Sequence, residues 1–151
     1  EPFSFTQLGP ASYDCSLSNE FRRFKKMDQP IDITENVDYK DYTTLETVED
    51  GGVFLLGPQE SCLAITRETI KLGPNHCGLL EGRSRFARMG LAIHITASYM
   101  QPGINNRQVL EIFNVSNNTL ALHPGTRICQ FVFLKMEGKA RYTGRFQNQT
   151  L

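Results

Sequence analysis

The punctuation of this 151-residue chain constrains its fold more than any other feature. Gly, Pro and Asn breaks recur at intervals of about 8–12 residues, a spacing that suits short strands joined by turns. Gly57-Pro58, Gly73-Pro74, Pro102-Gly103 and Pro124-Gly125 are the clearest of them. The apolar runs between them are too short for ordinary helices, and several alternate with period two. Strands are predicted at residues 11–17 running into 20–24, then at 53–56, 62–68, 70–72, 77–80, 91–96, 108–114, 120–122 and 127–135. The pattern is that of an all-β (mainly β) sandwich or barrel. One short helix is predicted from residue 84 to 88, with Ser84 as its cap and Gly90 ending it. Residues 25–50 are charged and polar and read as a surface excursion that closes at Asp50-Gly51-Gly52. The length suggests one domain, residues 1–151, with room for a real core. The polar segment 141–151 is expected to be flexible without a ligand.

Charge narrows the partners. Lys and Arg together number 16, and Asp and Glu also number 16, for a formal net charge of zero. A broad nucleic-acid surface normally leaves a strongly basic balance, so none is expected. A small anion in a local pocket remains compatible. No apolar run approaches the roughly 18 residues of a membrane span, and no hydrophobic leader opens the sequence. The first residue is Glu1, which suggests a trimmed N-terminus. Cys15, Cys62, Cys77 and Cys129 lie far apart among apolar neighbours. They read as small buried hydrophobes rather than as metal ligands or disulfide partners. A reducing cytoplasm fits that usage.

The run Glu81-Gly82-Arg83-Ser84-Arg85-Phe86-Ala87-Arg88-Met89-Gly90-Leu91 places three arginines and a serine in six residues. A core has no use for three guanidinium groups so close together, whereas arginine forks match phosphate oxygens in geometry and charge. The segment reads as a polyphosphate grip, helped by free N–H groups where the short helix begins. Glu111 sits inside an apolar strand whose alternation puts Val109, Glu111 and Phe113 on one face and Leu110 and Ile112 on the other. An acid among such neighbours is costly to bury without a partner, and a proton shuttle is one use for it. An exposed acid, or one paired with a structural arginine, is the plainer alternative. His94 reads as a structural strand histidine. Asn114 and Gln130 read as groups that satisfy backbone, and Lys25, Lys26 and the acids of 38–50 as solvated charge.

Several motifs occur in a fixed order: Pro10-Ala11-Ser12-Tyr13-Asp14, Asn19-Glu20-Phe21-Arg22, Glu81-Gly82-Arg83-Ser84 with Ala87-Arg88, His94-Ile95-Thr96-Ala97, Pro102-Gly103, Leu110-Glu111 with Asn114, and Pro124-Gly125 with Gln130. Taken together, they resemble dCTP deaminase, a relative of trimeric dUTPase, over nearly the whole chain. The resemblance implies a dUTPase-like β-barrel or β-clip and a homotrimer with active sites shared between subunits. It also implies hydrolytic deamination of dCTP to dUTP and ammonia, supplying dUTP for thymidylate synthesis. Magnesium would arrive on the triphosphate. No zinc is implied, and the H-x-E with P-C-x-x-C signature of zinc deaminases is missing.

By the same resemblance Glu111 is the proton shuttle, and Ser84 and Arg88 hold the attacking water. Arg83 falls at a phosphate position, within a nucleotide-contacting stretch that also includes Arg85, Phe86 and Ala87. Thr96 and Ala97 fall at a turn that reads the pyrimidine edge, near Gln101, Val109 and Leu110. In the tail, Tyr142, Arg145 and Gln149 fall on the triphosphate side, the segment 141–151 closing there. The implied partners are dCTP, with dUTP or dTTP as further nucleotides, and other copies of the chain. No nucleic acid or membrane is implied.

The chain also departs from the pattern. Gln101 stands where the family usually has aspartate before Pro-Gly, and an amide cannot serve as a base for phosphate attack. Arg85 replaces a small polar residue, Ile104 an aromatic, and Arg145 a lysine. Asn105-Asn106 stands near a usual glycine, and asparagine tolerates the positive φ that such a turn would need. Two alternatives therefore stay open beside deamination. One is a dUTP diphosphohydrolase or a bifunctional deaminase-diphosphatase. The other is a non-catalytic nucleotide-binding homologue.

Overall fold

The computed structural model describes residues 1–151, and its architecture is mainly β, as the punctuation predicts. Ten strands follow in chain order: β1 (Tyr13–Phe24), β2 (Thr43–Thr47), β3 (Phe54–Leu56), β4 (Ser61–Lys71), β5 (His76–Gly82), β6 (Leu91–Ile93), β7 (Tyr99–Met100), β8 (Asn105–Asn114), β9 (Leu120–Leu122) and β10 (Arg127–Lys135). A single α-helical turn, α1 (Ser84–Ala87), lies between β5 and β6. The main sheet runs β6-β8-β4-β1-β10-β5-β7, with β2 also on β1, and β3 pairs with β9.

The twelve-residue β1 organises the sheet. Its first residues pair with β10 and its later ones with both β4 and β2. The register shifts between Cys15 and Ser16, as at a β-bulge, which adds local twist. Near this irregularity the Ser16 amide donates to the buried Glu68 carboxylate at 2.7 Å, and Gln7 Nε2 donates to its other oxygen at 2.7 Å. This buried acid therefore has hydrogen-bonding partners.

Two predicted boundaries change. Residues 25–50 are not all loop, because β2 pairs Thr43–Thr47 with residues 20–24 of β1. Its threonines favour a strand, while its exposed Leu45 and single buried residue, Thr43, hide the alternation from the sequence. A 3-10 turn, Tyr39–Tyr42, precedes it and is capped by Asp38, whose carboxylate accepts from the Lys40 amide at 3.0 Å. In α1 the capping position belongs to Arg83, and Ser84 is the first helical residue, without a side-chain capping bond. Gly90 follows the helix with φ +82, where a Cβ would meet Ser116 Cβ at 2.8 Å.

The core gathers residues from nearly every strand. Phe21 and Phe54 stack with centroids 4.3 Å apart. Cys15, Cys62, Cys77 and Cys129 are all buried free thiols, matching the small-hydrophobe reading. Asn114 satisfies backbone, as expected: its amide donates to the carbonyls of Leu56, Gly57 and Asn118.

Candidate active site

Strand β8 delivers Glu111, and the burial of its residues alternates as predicted, with Leu110 and Ile112 fully buried and Glu111 half-buried. Leu63 of β4 pairs with both Glu111 and Arg22, so the three residues form one row across β1, β4 and β8. Residues paired in register share a face of the sheet. Beside this row a cavity of about 440 Å³ opens, lined among others by Glu111, Val109, Leu63, Ala97, Gln101 and His94.

The segment after β6 folds over the acid. The His94 amide donates to the Glu111 carbonyl at 2.7 Å, and the Thr96 amide donates to Glu111 Oε2 at 3.4 Å. His94 sits at φ 60, in the left-handed region. Its Nε2 lies 2.7 Å from the Ala97 carbonyl, while its buried Nδ1 has no partner. His94 is therefore not a strand residue, as the sequence reading had it. It forms a strained corner of the cavity wall.

The tail closes another side of the cavity, through Tyr142, Phe146 and Gln149. Residues 141–151 pack on their own chain. The Asn106 amide donates to the carbonyls of Phe146 and Gln147 at 2.8 and 2.9 Å, and Gln149 Nε2 donates to the Arg107 carbonyl at 3.2 Å. Asn105 and Asn106 do not take a positive φ. They lie within β8, and Asn106 spends its amide on the tail instead.

The arginine segment lies apart. None of residues 83–88 lines the cavity of Glu111. Leu91 pairs with Asn114, three residues along β8 from Glu111, which is about 10 Å of strand. Ser84, Arg85, Ala87 and Arg88 are exposed, and Phe86 packs partly against the core. Arg83 is committed within the chain: Nη2 pairs with Asp14 at 3.1 Å and Nη1 donates to the Arg127 carbonyl at 2.6 Å. The geometry therefore separates an acid in a cavity from a helical turn whose Arg85 and Arg88 face solvent.

A family model described as dCTP deaminase-like matches residues 1–136. The chain belongs to this family. A "dCTP deaminase, dUMP-forming" from Methanobrevibacter smithii is 40% identical over 131 residues, which covers 86% of this chain and 68% of that protein. Among solved structures, the 2'-deoxycytidine 5'-triphosphate deaminase of Agrobacterium tumefaciens superposes with a TM-score of 0.69 at 16% identity, over 88% of this chain and 42% of that one. The native EIAV dUTPase superposes with a TM-score of 0.51 at 18% identity, over 66% of this chain and 81% of its own. The chain thus spans about two thirds of the length of the curated relative and less than half of the solved deaminase. The β-fold expected from the motifs, of the dCTP deaminase and dUTPase kind, is the fold found.

The residues singled out by the family motifs fall into two sets. Glu111, Val109, Ala97, Gln101, Tyr142 and Gln149 line one cavity. Arg83, Ser84, Arg85, Phe86, Ala87 and Arg88 form the separate helical turn. Thr96 borders the first set through its bond to Glu111, whereas Leu110 points into the core. Arg145 is turned aside: its Nη2 pairs with Asp38 Oδ2 at 2.9 Å. Sequence reasoning missed Tyr39, Tyr99, Asn106 and Gln108 as cavity residues. For Asn106 and Gln108, polar residues on the inward face of β8, that placement was the available signal.

Proposed function

We propose that this chain hydrolytically deaminates dCTP, with Glu111 as the acid–base group. The bond from the Thr96 amide to Glu111, made at a cavity in a protein of the dCTP deaminase-like family, carries this reading. The amides of Ile95 and Ala97 and the carbonyls of His94, Ile95 and Thr96, which make no bond within the chain, suit the edge of a pyrimidine, and Glu111 is tied to that loop. Water adds to C4 of cytosine, and Glu111 takes its proton. Glu111 passes this proton to ring N3, then carries the second proton from the new C4 hydroxyl to the amino group; the C4–N bond breaks, the C4 carbonyl forms, and ammonia leaves. Acid–base catalysis of this kind supplies about 10²–10⁴-fold. Positioning and fixed dipoles supply the remainder.

In this reading Ser84 and Arg88 hold the water and Arg83 meets phosphate. Since they lie apart from Glu111 within one chain, the reading requires a second copy to present its helical turn to the cavity, in the homotrimer the resemblance implies. The nucleotide would enter with magnesium held by the triphosphate oxygens. No group of three or more His, Cys, Asp or Glu is placed to hold a metal. No helix is long and apolar enough to cross a membrane.

The released product in our reading is dUTP, because Gln101 places an amide in the cavity wall where a phosphate-attacking water would need a base. The names of the relatives favour a second reading, in which dUMP leaves after pyrophosphate is also split off. Incubating the chain with dCTP, dUTP and CTP plus magnesium, and measuring ammonia and pyrophosphate separately, tests both. Absence of ammonia at high protein concentration would overturn the assignment.

A further inference from the structure

Two residues at the start of the 3-10 turn before β2 grip the tail. Asp38 uses one oxygen to cap its own turn at the Lys40 amide, 3.0 Å away, and the other to hold Arg145 Nη2 at 2.9 Å. Arg145 Nη1 also donates to the Val37 carbonyl at 3.5 Å. Five residues on, the Tyr39 hydroxyl donates to the Thr150 carbonyl at 3.0 Å. Leu151 is buried against Leu63 and Ile65, with Tyr39 and Val109 packed beside it. Leu63 is the middle member of the row that ends at Glu111. The tail is thus held both by this turn and by Asn106, and Tyr39 and Asn106 both line the cavity.

We propose that Asp38 and Tyr39 are positioning residues that seat the tail over the Glu111 cavity of the same chain, Asp38 holding Arg145 where a nucleotide phosphate would otherwise bind it. The last clause rests on the reading of Arg145 as a triphosphate contact. A carboxylate offers a guanidinium the same kind of charged, forked acceptor as a phosphate does. Asp38 therefore competes with the nucleotide for one cation. Its capping bond fixes the carboxylate in the orientation that Arg145 meets, so the contact is built into the turn rather than left to a mobile side chain.

Amide hydrogen exchange on the whole chain, without nucleotide, tests the seat. Removing one exposed ion pair should speed exchange across residues 142–150 by about two- to fivefold in Asp38→Asn, while the sheet strands stay protected. Tyr39→Phe should loosen the last residues of the tail, and Asp38→Glu should restore slow exchange. Unaltered tail exchange in both Asp38→Asn and Tyr39→Phe would overturn the seat. Competition is read from magnesium-dCTP affinity in a Glu111→Gln background, where the nucleotide is not consumed. Adding Asp38→Asn should tighten binding by a similar factor, and equal or weaker binding would overturn the placeholder role. If the Glu111→Gln parent binds no dCTP, the proposed function and the placeholder role fail together, while the nucleotide-free exchange still decides whether the seat exists.

Discussion

The backbone amide of Thr96 donates to the Glu111 carboxylate at 3.4 Å, tying the loop after β6 to the acid on β8. This contact fixes one oxygen of the acid and leaves the other available to a substrate. It also couples the carboxylate to a loop that already carries a strained residue, His94 at φ 60. The same peptide groups that would border a pyrimidine therefore orient the side chain that would act on it.

Replacing Glu111 by glutamine keeps the size and the acceptor for Thr96 but removes the base. Ammonia release from dCTP is expected to fall by at least about 10²–10⁴-fold, the range for loss of a general acid–base group. Binding of dCTP, followed by calorimetry, is expected to stay within a few-fold of the wild-type value. Full deaminase activity in this variant would remove Glu111 from the mechanism.

Much of the fold is legible because strands declare themselves locally. The alternation through residues 108–114 gave the correct faces, so Glu111 was readable as a half-buried acid. What failed to show is non-local. Thr43–Thr47 becomes a strand only because residues 20–24 are beside it. Asp38 looks like solvated charge until Arg145, more than a hundred residues later, returns to it. The resemblance assigns the arginine segment and Glu111 to one site, yet within one chain β6 joins β8 at the Asn114 end and sets them apart. His94 looked like a strand residue because a sequence does not reveal a positive φ or an unpartnered Nδ1.

Gly78 is the position where the core tolerates least. It lies on β5 opposite Phe133 of β10. A Cβ there would come within 2.2 Å of Phe131 Cε1 and 2.9 Å of the Val132 carbonyl. The Phe131 ring is fully buried and cannot swing clear. Gly78→Ala is expected to destabilise the chain by about 1–3 kcal/mol, as overpacking does. A urea midpoint equal to that of the wild type would show that β5 and β10 can separate at no cost.

Burial pushes the Cys62 thiol up to about 12 from its ordinary 9.0, against a smaller opposing pull from Arg23. The folded chain therefore holds this proton more tightly than the unfolded chain. The associated stability is complete below about pH 9 and is lost as pH rises toward 12, at up to about 1.4 kcal/mol per pH unit. In Cys62→Ala, stability measured by urea unfolding should fall less steeply between pH 9 and 11 than in the wild type. Parallel slopes would mean that the thiolate is tolerated in the fold.

In our proposed reading, Gln101 is the residue that separates the two products. It follows β7, precedes the Pro102-Gly103 turn, and is exposed on the wall of the cavity that Glu111 lines. A glutamine amide can orient a water or a sugar hydroxyl but cannot take a proton from it at neutral pH. Gly103 holds φ +83 with its missing Cβ 2.8 Å from Arg141 Cγ, so the turn is closely packed, whereas the Gln101 side chain itself is exposed. The wild-type chain is expected to release ammonia from dCTP without matching pyrophosphate. Gln101→Asp restores a carboxylate, and pyrophosphate release from dUTP is expected to rise by about 10²-fold or more, the low end for a positioned base. Pyrophosphate released one-for-one with ammonia by the wild-type chain would instead establish dUMP as its product, with an amide sufficient at residue 101.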